Sequence, residues 1–157
     1  MRIAWQGSYV DPMTSAAESP AADQATDTGV IPDRLSDLLT RPLFANVATV
    51  REDGTPQVNP MWFAWDGQFL RFTHTNFRRK FRNISANPAV AVSIVDPDDP
   101  YRYIEVRGVV ERIDPDPTGS LFTELNKRYD GPFGPDDPTD RADRVIFVVR
   151  PTAVGRR

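Results

Sequence analysis

The stretch that decides the fold is residues 44–74, FANVATVREDGTPQVNPMWFAWDGQFLRFTH. Apolar and β-branched runs alternate in it with two glycine turns, Glu52–Gly54 and Asp66-Gly67. This pattern predicts strands over residues 44–50, 55–65 and 68–74, the second of them broken or at a sheet edge at Pro60. Because Asp-Gly between two such runs favours a tight hairpin, we expect the strands to pair antiparallel.

The rest of the ordered sequence adds short helices and three further strands. Leu35, Leu38 and Leu39 recur at helical spacing, and Leu121, Phe122, Leu125 and Tyr129 do so later. Residues 76–87 are predicted as a helix whose buried face carries Phe77, Phe81 and Ile84. Strands are predicted over residues 89–95, 101–113 and 145–150, with a β-bulge near Gly108-Val109. The sequence thus predicts a mainly β protein, a six-stranded antiparallel barrel with short peripheral helices.

Composition limits the class of protein. The 157 residues suit one domain, which we place at residues 31–157, after a polar segment, residues 1–30, that we expect to be disordered. The absence of cysteine excludes disulfides and thiolate metal sites. A net charge of −3 disfavours nucleic-acid binding. No apolar run is long enough to cross a bilayer and no secretory signal is recognisable, so we expect a cytoplasmic protein without a membrane partner.

One basic run stands out, Arg78-Arg79-Lys80-Phe81-Arg82, at the start of the predicted second helix. Cations there are unfavourable by roughly 0.3–1 kcal/mol each, because the helix dipole is positive at this end. The first-turn N–H groups also lack intrahelical acceptors. A bound phosphate would remove the conflict, with arginine binding it through two hydrogen bonds and Lys80 adding a compact charge. The alternative is a solvated helix face in an arginine-rich protein.

Three motifs around this run carry a resemblance: Val58-Asn59-Pro60-Met61-Trp62-Phe63, Phe72-Thr73-His74-Thr75-Asn76, and Arg79-Lys80 followed by Asn83 and Asn87-Pro88. Together they resemble the pyridoxamine-phosphate-oxidase-like split barrels. Proteins of that family bind FMN or the deazaflavin coenzyme F-420. The resemblance covers about residues 33–155 and implies the FMN-binding split β-barrel as the fold.

The resemblance also implies where a cofactor would bind. In the family, the second strand runs along the ring, the end of the third strand hydrogen-bonds the ribityl chain or phosphate, and an Arg-Lys pair binds the phosphate. Arg78 is added because the anionic tail of F-420, which is longer than that of FMN, would give this cation a partner. The predicted cofactor-binding residues are Asn59, Pro60, Met61, Trp62, Thr73, His74, Thr75, Arg78, Arg79, Lys80 and Asn83.

The sequence departs from the vitamin B6 oxidases of the family. Their C-terminal tryptophan and Arg-Leu-His-type segment have no counterpart in Pro151–Arg157. The short chain and the motif Lys80-Phe81-Arg82-Asn83 look more like the F-420-dependent branch known from actinobacteria. Because F-420 has a longer anionic tail than FMN, it also matches the extra cations Arg78 and Arg82.

The resemblance implies an oxidoreductase that uses reduced F-420 to pass a hydride to a small electron-poor acceptor, such as an enone, quinone or tetrapyrrole. The alternatives are an FMN-dependent oxidase or reductase and a non-catalytic flavin- or haem-binding module. No catalytic side chain is predicted, because the cofactor ring carries the chemistry and solvent can supply a proton. We expect a homodimer with cofactor clefts at its interface and, with one histidine and no cysteine, no metal site.

Overall fold

The computed structural model describes residues 30–134 and 137–155. The segment predicted to be disordered therefore lies outside the described residues, apart from Val30. Seven strands form one antiparallel sheet that curls into a half-barrel, in the order β2-β1-β5-β6-β7-β4-β3. The strands are β1 Ala45–Val50, β2 Pro56–Met61, β3 Ala64–Trp65, β4 Leu70–Thr75, β5 Ala89–Val95, β6 Tyr103–Pro115 and β7 Arg144–Val154. The prediction of a mainly β antiparallel barrel is confirmed.

The strand count differs from the predicted six, because the run 55–65 is two strands. Between β2 and β3 the backbone of Phe63 bonds to a side chain instead of a neighbouring strand. Its N–H donates to the Tyr129 hydroxyl oxygen at 3.2 Å, and that hydroxyl also lies 3.3 Å from the Phe63 carbonyl oxygen. The ladder is interrupted there. The Asp66-Gly67 hairpin is confirmed, with Trp65 opposite Leu70 and Gly67 at a φ of 95°.

Three short helices flank the sheet: α1 Asp37–Thr40, preceded by a 3₁₀ turn Asp33–Leu35, then α2 Arg79–Ala86 and α3 Ser120–Arg128. The helix predicted over residues 76–87 begins three residues later than expected. Phe77 consequently lies before α2 and is exposed, whereas Ile84 is buried and Phe81 packs against the core. The prediction was wrong for Phe77, because the turn residues 76–78 carry the chain out of β4 before α2 begins.

The core fills the inside of the curled sheet. Its largest buried side chains include Phe63, Phe72, Phe147, Leu38 and Leu39, so α1 closes one end of the half-barrel. The predicted bulge in β6 is present, with register shifts at Arg107/Gly108 and at Val110/Arg112. No helix in the described ranges is both long and apolar enough to cross a bilayer.

Candidate functional site

A cleft of about 650 Å³ opens where the end of β4 meets the β2–β3 junction, beneath α3 and the loop that precedes β7. This is a usual size for a small-molecule site. Eight of the eleven predicted cofactor-binding residues line it: Asn59, Pro60, Met61, Trp62, Thr73, His74, Thr75 and Arg78. Residues from three separate segments of the chain, 59–62, 73–75 and 78, are therefore brought together.

Trp62 forms one wall of the cleft and is held in place by other aromatic rings. It stacks on Tyr129 with 5.4 Å between ring centroids and an interplanar angle of 18°. Phe133 meets it edge-on, with centroids 5.8 Å apart. The loop passes close behind the indole at Gly131, where a Cβ atom would overlap Asn126 Oδ1 and lie 2.6 Å from Trp62 Cη2. Only glycine fits that approach, so the position of the indole depends on a residue far away in sequence.

The end of β4 supplies polar groups. Thr75 is 1% exposed and its hydroxyl oxygen has no hydrogen-bond partner among the described residues, although Thr75 lines the cleft. A buried hydroxyl without a partner costs about 1–3 kcal/mol, so this atom is suited to bond a ligand. The Thr73 hydroxyl accepts a hydrogen bond from Arg144 Nη1 at 2.9 Å.

His74 stacks on Phe147, with 5.1 Å between centroids, and its Nδ1 lies 3.0 Å from the Thr75 carbonyl oxygen. Because a carbonyl only accepts, Nδ1 carries the proton in that contact. Burial lowers the pKa of His74 below its ordinary value. The cations Arg78, Lys80 and Arg144 lower the pKa further, against the opposing effect of the Thr75 carbonyl. His74 is therefore a neutral imidazole at pH 7 whose Nε2 can accept a hydrogen bond.

Arg144 is a cleft residue that the sequence did not single out. Its side chain is buried, its Nε donates to Asp140 Oδ1 at 2.9 Å, and its guanidinium carbon lies 4.2 Å from the centre of the Phe122 ring. Desolvation lowers the pKa of Arg144, and Asp140 opposes that shift. Arg78 Nη2 lies 3.9 Å from the other oxygen of Asp140. One carboxylate is thus shared by two guanidinium groups.

The other three predicted residues, Arg79, Lys80 and Asn83, do not line the cleft. Lys80 is 2% exposed and its Nζ donates to the Val47 carbonyl oxygen at 2.7 Å. Burial lowers the pKa of Lys80 to about 8. The buried Asn83 amide donates to Thr49 Oγ1 at 3.1 Å and to Gln57 Oε1 at 2.9 Å. Both side chains therefore fasten α2 to the sheet.

Arg79 lines a separate hollow of about 210 Å³, whose other lining residues are Arg51, Glu52, Asp53, Arg82 and Asn83, three guanidinium groups in all beside two carboxylates. The basic run is thus divided in space: Arg78 faces the cleft, Arg79 and Arg82 face the hollow, and Lys80 points inward. The N-terminus of α2 has no side-chain cap and no acidic residue in its first turn, so nothing in it competes with a bound anion.

Several cleft residues were missed by sequence reasoning: Phe44, Phe122, Phe133, Asp140 and Arg144. They lie directly before β1, in α3, in the loop before β7 and at the first position of β7, and the predicted motifs include none of these places. The one available signal was Arg144, a charged residue directly before the apolar run Val145–Val149. A charge next to a buried strand is itself unusual enough to suggest a paired or functional group.

The acidic turn at Asp96–Asp99 is structural. The Asp96 carboxylate accepts hydrogen bonds from Arg41 Nη1 at 3.1 Å and from Arg102 Nη1 at 2.7 Å, so it joins α1 to the β5–β6 turn. Within residues 30–134 and 137–155 there is no cluster of three or more histidine, cysteine or carboxylate side chains that could hold a metal ion.

Comparison with known proteins agrees with this geometry. The family model described as pyridoxamine 5'-phosphate oxidase matches residues 31–156. A solved F-420 reductase is 64% identical with a TM-score of 0.78, covering 81% of this chain and 100% of its own. No curated protein matches the chain.

More distant structures share the fold. A pyridoxamine 5'-phosphate oxidase-like protein from Listeria innocua is 21% identical, with a TM-score of 0.61 and coverage of 78% of this chain and 94% of its own. The haem storage protein HutZ from Vibrio cholerae is 17% identical, with a TM-score of 0.56 and coverage of 78% and 91%. At these identities the likeness concerns the fold alone.

Proposed function

The chain belongs to the pyridoxamine 5'-phosphate oxidase-like split-barrel family, and on that premise we propose that it is an F-420-dependent oxidoreductase. It would use the reduced deazaflavin to transfer a hydride to a small electron-poor organic acceptor. The similarity to the F-420 reductase, which extends over that protein's whole length, favours F-420 over FMN.

The observation that carries the proposal is the buried hydroxyl of Thr75 in the cleft, which has no hydrogen-bond partner within residues 30–134 and 137–155. A hydroxyl at this depth is stabilised when a ligand atom bonds to it, and the sugar-alcohol chain and phosphate of a flavin-type cofactor offer many such atoms. Arg78 lines the same cleft next to the uncapped start of α2. The residues present therefore fit the cofactor.

Each part of the cleft would have a separate task. The segment from Asn59 to Trp62 would lie along the ring, and the aromatic packing behind Trp62 keeps this surface fixed. Thr73, His74 and Thr75 would hydrogen-bond the sugar-alcohol chain, with His74 accepting through Nε2. Arg78 would neutralise the phosphate. When bound, the deazaflavin supplies a two-electron hydride donor, and the chain supplies orientation and exclusion of water.

We retain three further residues as proposed cofactor ligands, although they do not line the cleft: Arg79, Lys80 and Asn83. Lys80 has three N–H donors and uses one of them on the Val47 carbonyl oxygen. We propose that an anion at the start of α2 uses another of these donors, since Lys80 is the second residue of that helix. Arg79 and Arg82 would bind the part of an anionic tail that extends past α2 into the neighbouring hollow.

The test is fluorescence titration of the purified protein with F-420, FMN and haem in parallel. We expect the tightest binding for F-420. Thr75→Val should raise the Kd for F-420 about fivefold, because a net hydrogen bond contributes about 1 kcal/mol. The control is Thr152→Val, which removes an exposed hydroxyl bonded to the Arg107 carbonyl and should leave the Kd unchanged.

Several results would count against the proposal. Tight FMN binding without F-420 binding would favour the FMN-dependent alternative. Tight haem binding alone would favour a non-catalytic haem module. If none of the three binds at micromolar concentration, the assignment as a cofactor enzyme is refuted.

We also propose that two copies of the chain form a homodimer that completes the cleft. Val58, Ala48 and Ala91 are register partners across β2, β1 and β5, and they form an apolar row on the outer face of the sheet. Val58 is exposed there. Multi-angle light scattering should give twice the mass of one chain, and Val58→Asp should shift the species towards monomer. A monomeric wild-type protein would refute the dimer.

A further inference from the structure

Four aromatic side chains line one part of the cleft: Phe44, Trp62, Phe122 and Phe133, called here the aromatic wall. Trp62, Phe122 and Phe133 contact one another, with ring centroids 5.1–6.0 Å apart. Phe44 is 59% exposed and Phe133 is 45% exposed. Two large exposed aromatic rings beside a cleft indicate a surface that another molecule covers. A flat, conjugated molecule has the matching shape and polarity.

Arg144 adds a charged group beside this wall. Its guanidinium packs over Phe122, and two of its three nitrogens are used, Nε by Asp140 and Nη1 by Thr73. Nη2 has no hydrogen-bond partner within the described ranges, and this atom is not fully enclosed by the protein. It therefore keeps donors for an acceptor atom of a ligand in the cleft. A guanidinium fixed on three sides loses little entropy when it binds such an atom.

The carboxylates near the two guanidinium groups are already engaged in other contacts. Arg144 and Arg78 share the carboxylate of Asp140. Asp116, whose charge also acts on Arg144, accepts the backbone N–H groups of Ser120 and Leu121 at the start of α3. The Asp137 carboxylate also lines the cleft, but it accepts a hydrogen bond from the Gly134 N–H at 3.0 Å. Neither Arg144 nor Arg78 is paired with it in the described part of the chain. Arg144 thus lines the cleft with an Nη2 that has no carboxylate partner among the described residues.

We propose that the aromatic wall and Arg144 Nη2 together form the acceptor subsite, and that the acceptor is a planar conjugated molecule carrying a carboxylate. The rings of Phe44, Phe122 and Phe133 would cover its flat face, and Arg144 would bind the carboxylate. Trp62, which stacks on Tyr129, would border the cofactor ring as well. The inference rests on the proposed function, because it assigns the subsite to the second substrate and leaves the phosphate end of the cleft to the cofactor.

The test is isothermal titration of two probes of equal shape, 2-naphthoate and its neutral amide 2-naphthamide. Each is titrated into protein saturated with F-420 and into cofactor-free protein. We expect wild type to prefer the anion, and Arg144→Gln to weaken 2-naphthoate about 10- to 100-fold, the range for a charge-assisted hydrogen bond. Binding of 2-naphthamide should change less than about twofold.

Two further variants isolate the role of the guanidinium. Arg144→Lys retains the charge and should retain a preference for the anion, even if Arg144→Gln melts at a lower temperature. Arg112→Gln removes an exposed guanidinium that bonds Asp114 outside the cleft, and it should leave the affinity for both probes unchanged.

Four outcomes would overturn the subsite: no binding of 2-naphthoate to wild type, an equal loss for both probes in Arg144→Gln, an unchanged affinity for 2-naphthoate in that variant, or a matching loss of F-420 affinity. The last outcome would make Arg144 a cofactor ligand. Failure of wild type to bind any cofactor would instead refute the proposed function, and the probe preference in cofactor-free protein would still report on the subsite.

Discussion

Lys80 provides the most quantitative prediction, because its ammonium group is buried and its pKa is lowered from 10.5 to about 8 by desolvation. The unfolded chain therefore binds more protons than the folded chain between about pH 8 and pH 10.5. In this window the free energy of unfolding rises with pH, as the folded state is relieved of a buried charge. From pH 7 to pH 10 the gain amounts to about 2–3 kcal/mol for this one group.

The perturbation is Lys80→Met, which keeps an unbranched apolar side chain and removes the charge. Urea unfolding followed by tryptophan fluorescence at pH 7, 8, 9 and 10 gives the free energy of unfolding of both proteins. We expect the difference, wild type minus variant, to increase by about 2–3 kcal/mol over this range. The absolute offset is set partly by the Val47 carbonyl, which loses its donor in the variant.

Lys127 is the matched control, since it is the other lysine of the chain and is exposed. Lys127→Met should leave the pH dependence unchanged. A constant difference between wild type and Lys80→Met from pH 7 to pH 10 would refute the reasoning, because it would mean that Lys80 keeps an ordinary pKa. Repeating the series with saturating F-420 tests the proposed contact between the phosphate and Lys80. A bound phosphate raises the pKa of Lys80, so the free energy of unfolding would begin to rise at a higher pH.

Two further predictions concern stability. Gly131→Ala places a Cβ 2.6 Å from Trp62 Cη2, so it should destabilise the fold by roughly 1–3 kcal/mol and change the Trp fluorescence spectrum. Gly134→Ala is the control, because its Cβ would meet no atom closer than 4.0 Å and should leave the stability unchanged. Equal melting curves for the two variants would contradict this. The Arg102 guanidinium holds the pKa of Asp37 and Asp96 below the usual 3.8, so these carboxylates stabilise the protein above that pH and lose this effect as the pH falls through their lowered pKa. Arg102→Gln should be less stable at pH 7 and less sensitive to acid in urea unfolding between pH 3 and pH 7; an unchanged acid sensitivity would show that the network contributes nothing.

Strand and hairpin positions were largely readable from sequence, because they depend on local chemistry. The strand 89–95 was predicted with its observed bounds, and the Asp66-Gly67 hairpin followed from a turn whose glycine adopts a positive φ. The break between β2 and β3 was not readable. It lies at the Tyr129 hydroxyl, 66 residues further along the chain, which accepts the Phe63 N–H and donates to the Leu43 carbonyl.

The candidate site also has some features that were readable from sequence and others that only the tertiary structure revealed. The motifs around Asn59, Thr75 and Arg78 were recognisable as sequence, since each is a contiguous stretch on a strand or at a helix start, and the structure brings them to one cleft. In the sequence, residues 78–82 form one contiguous basic run. Only the tertiary structure decided that they separate, because successive residues of a helix point in different directions and the sheet lies on one side of α2.

The sequence by itself determined the antiparallel barrel and the family, and it located the motifs from which a cofactor site is proposed. The tertiary structure alone decided that Lys80 is buried against β1, that Arg144 reaches Thr73 across 71 residues, and that four aromatic rings from distant segments form one wall. Local propensity fixes strands and turns through nearest neighbours along the chain. Burial, charge pairing and the shape of a cleft depend on which segments meet when the sheet curls, and that information is not contained in any single stretch.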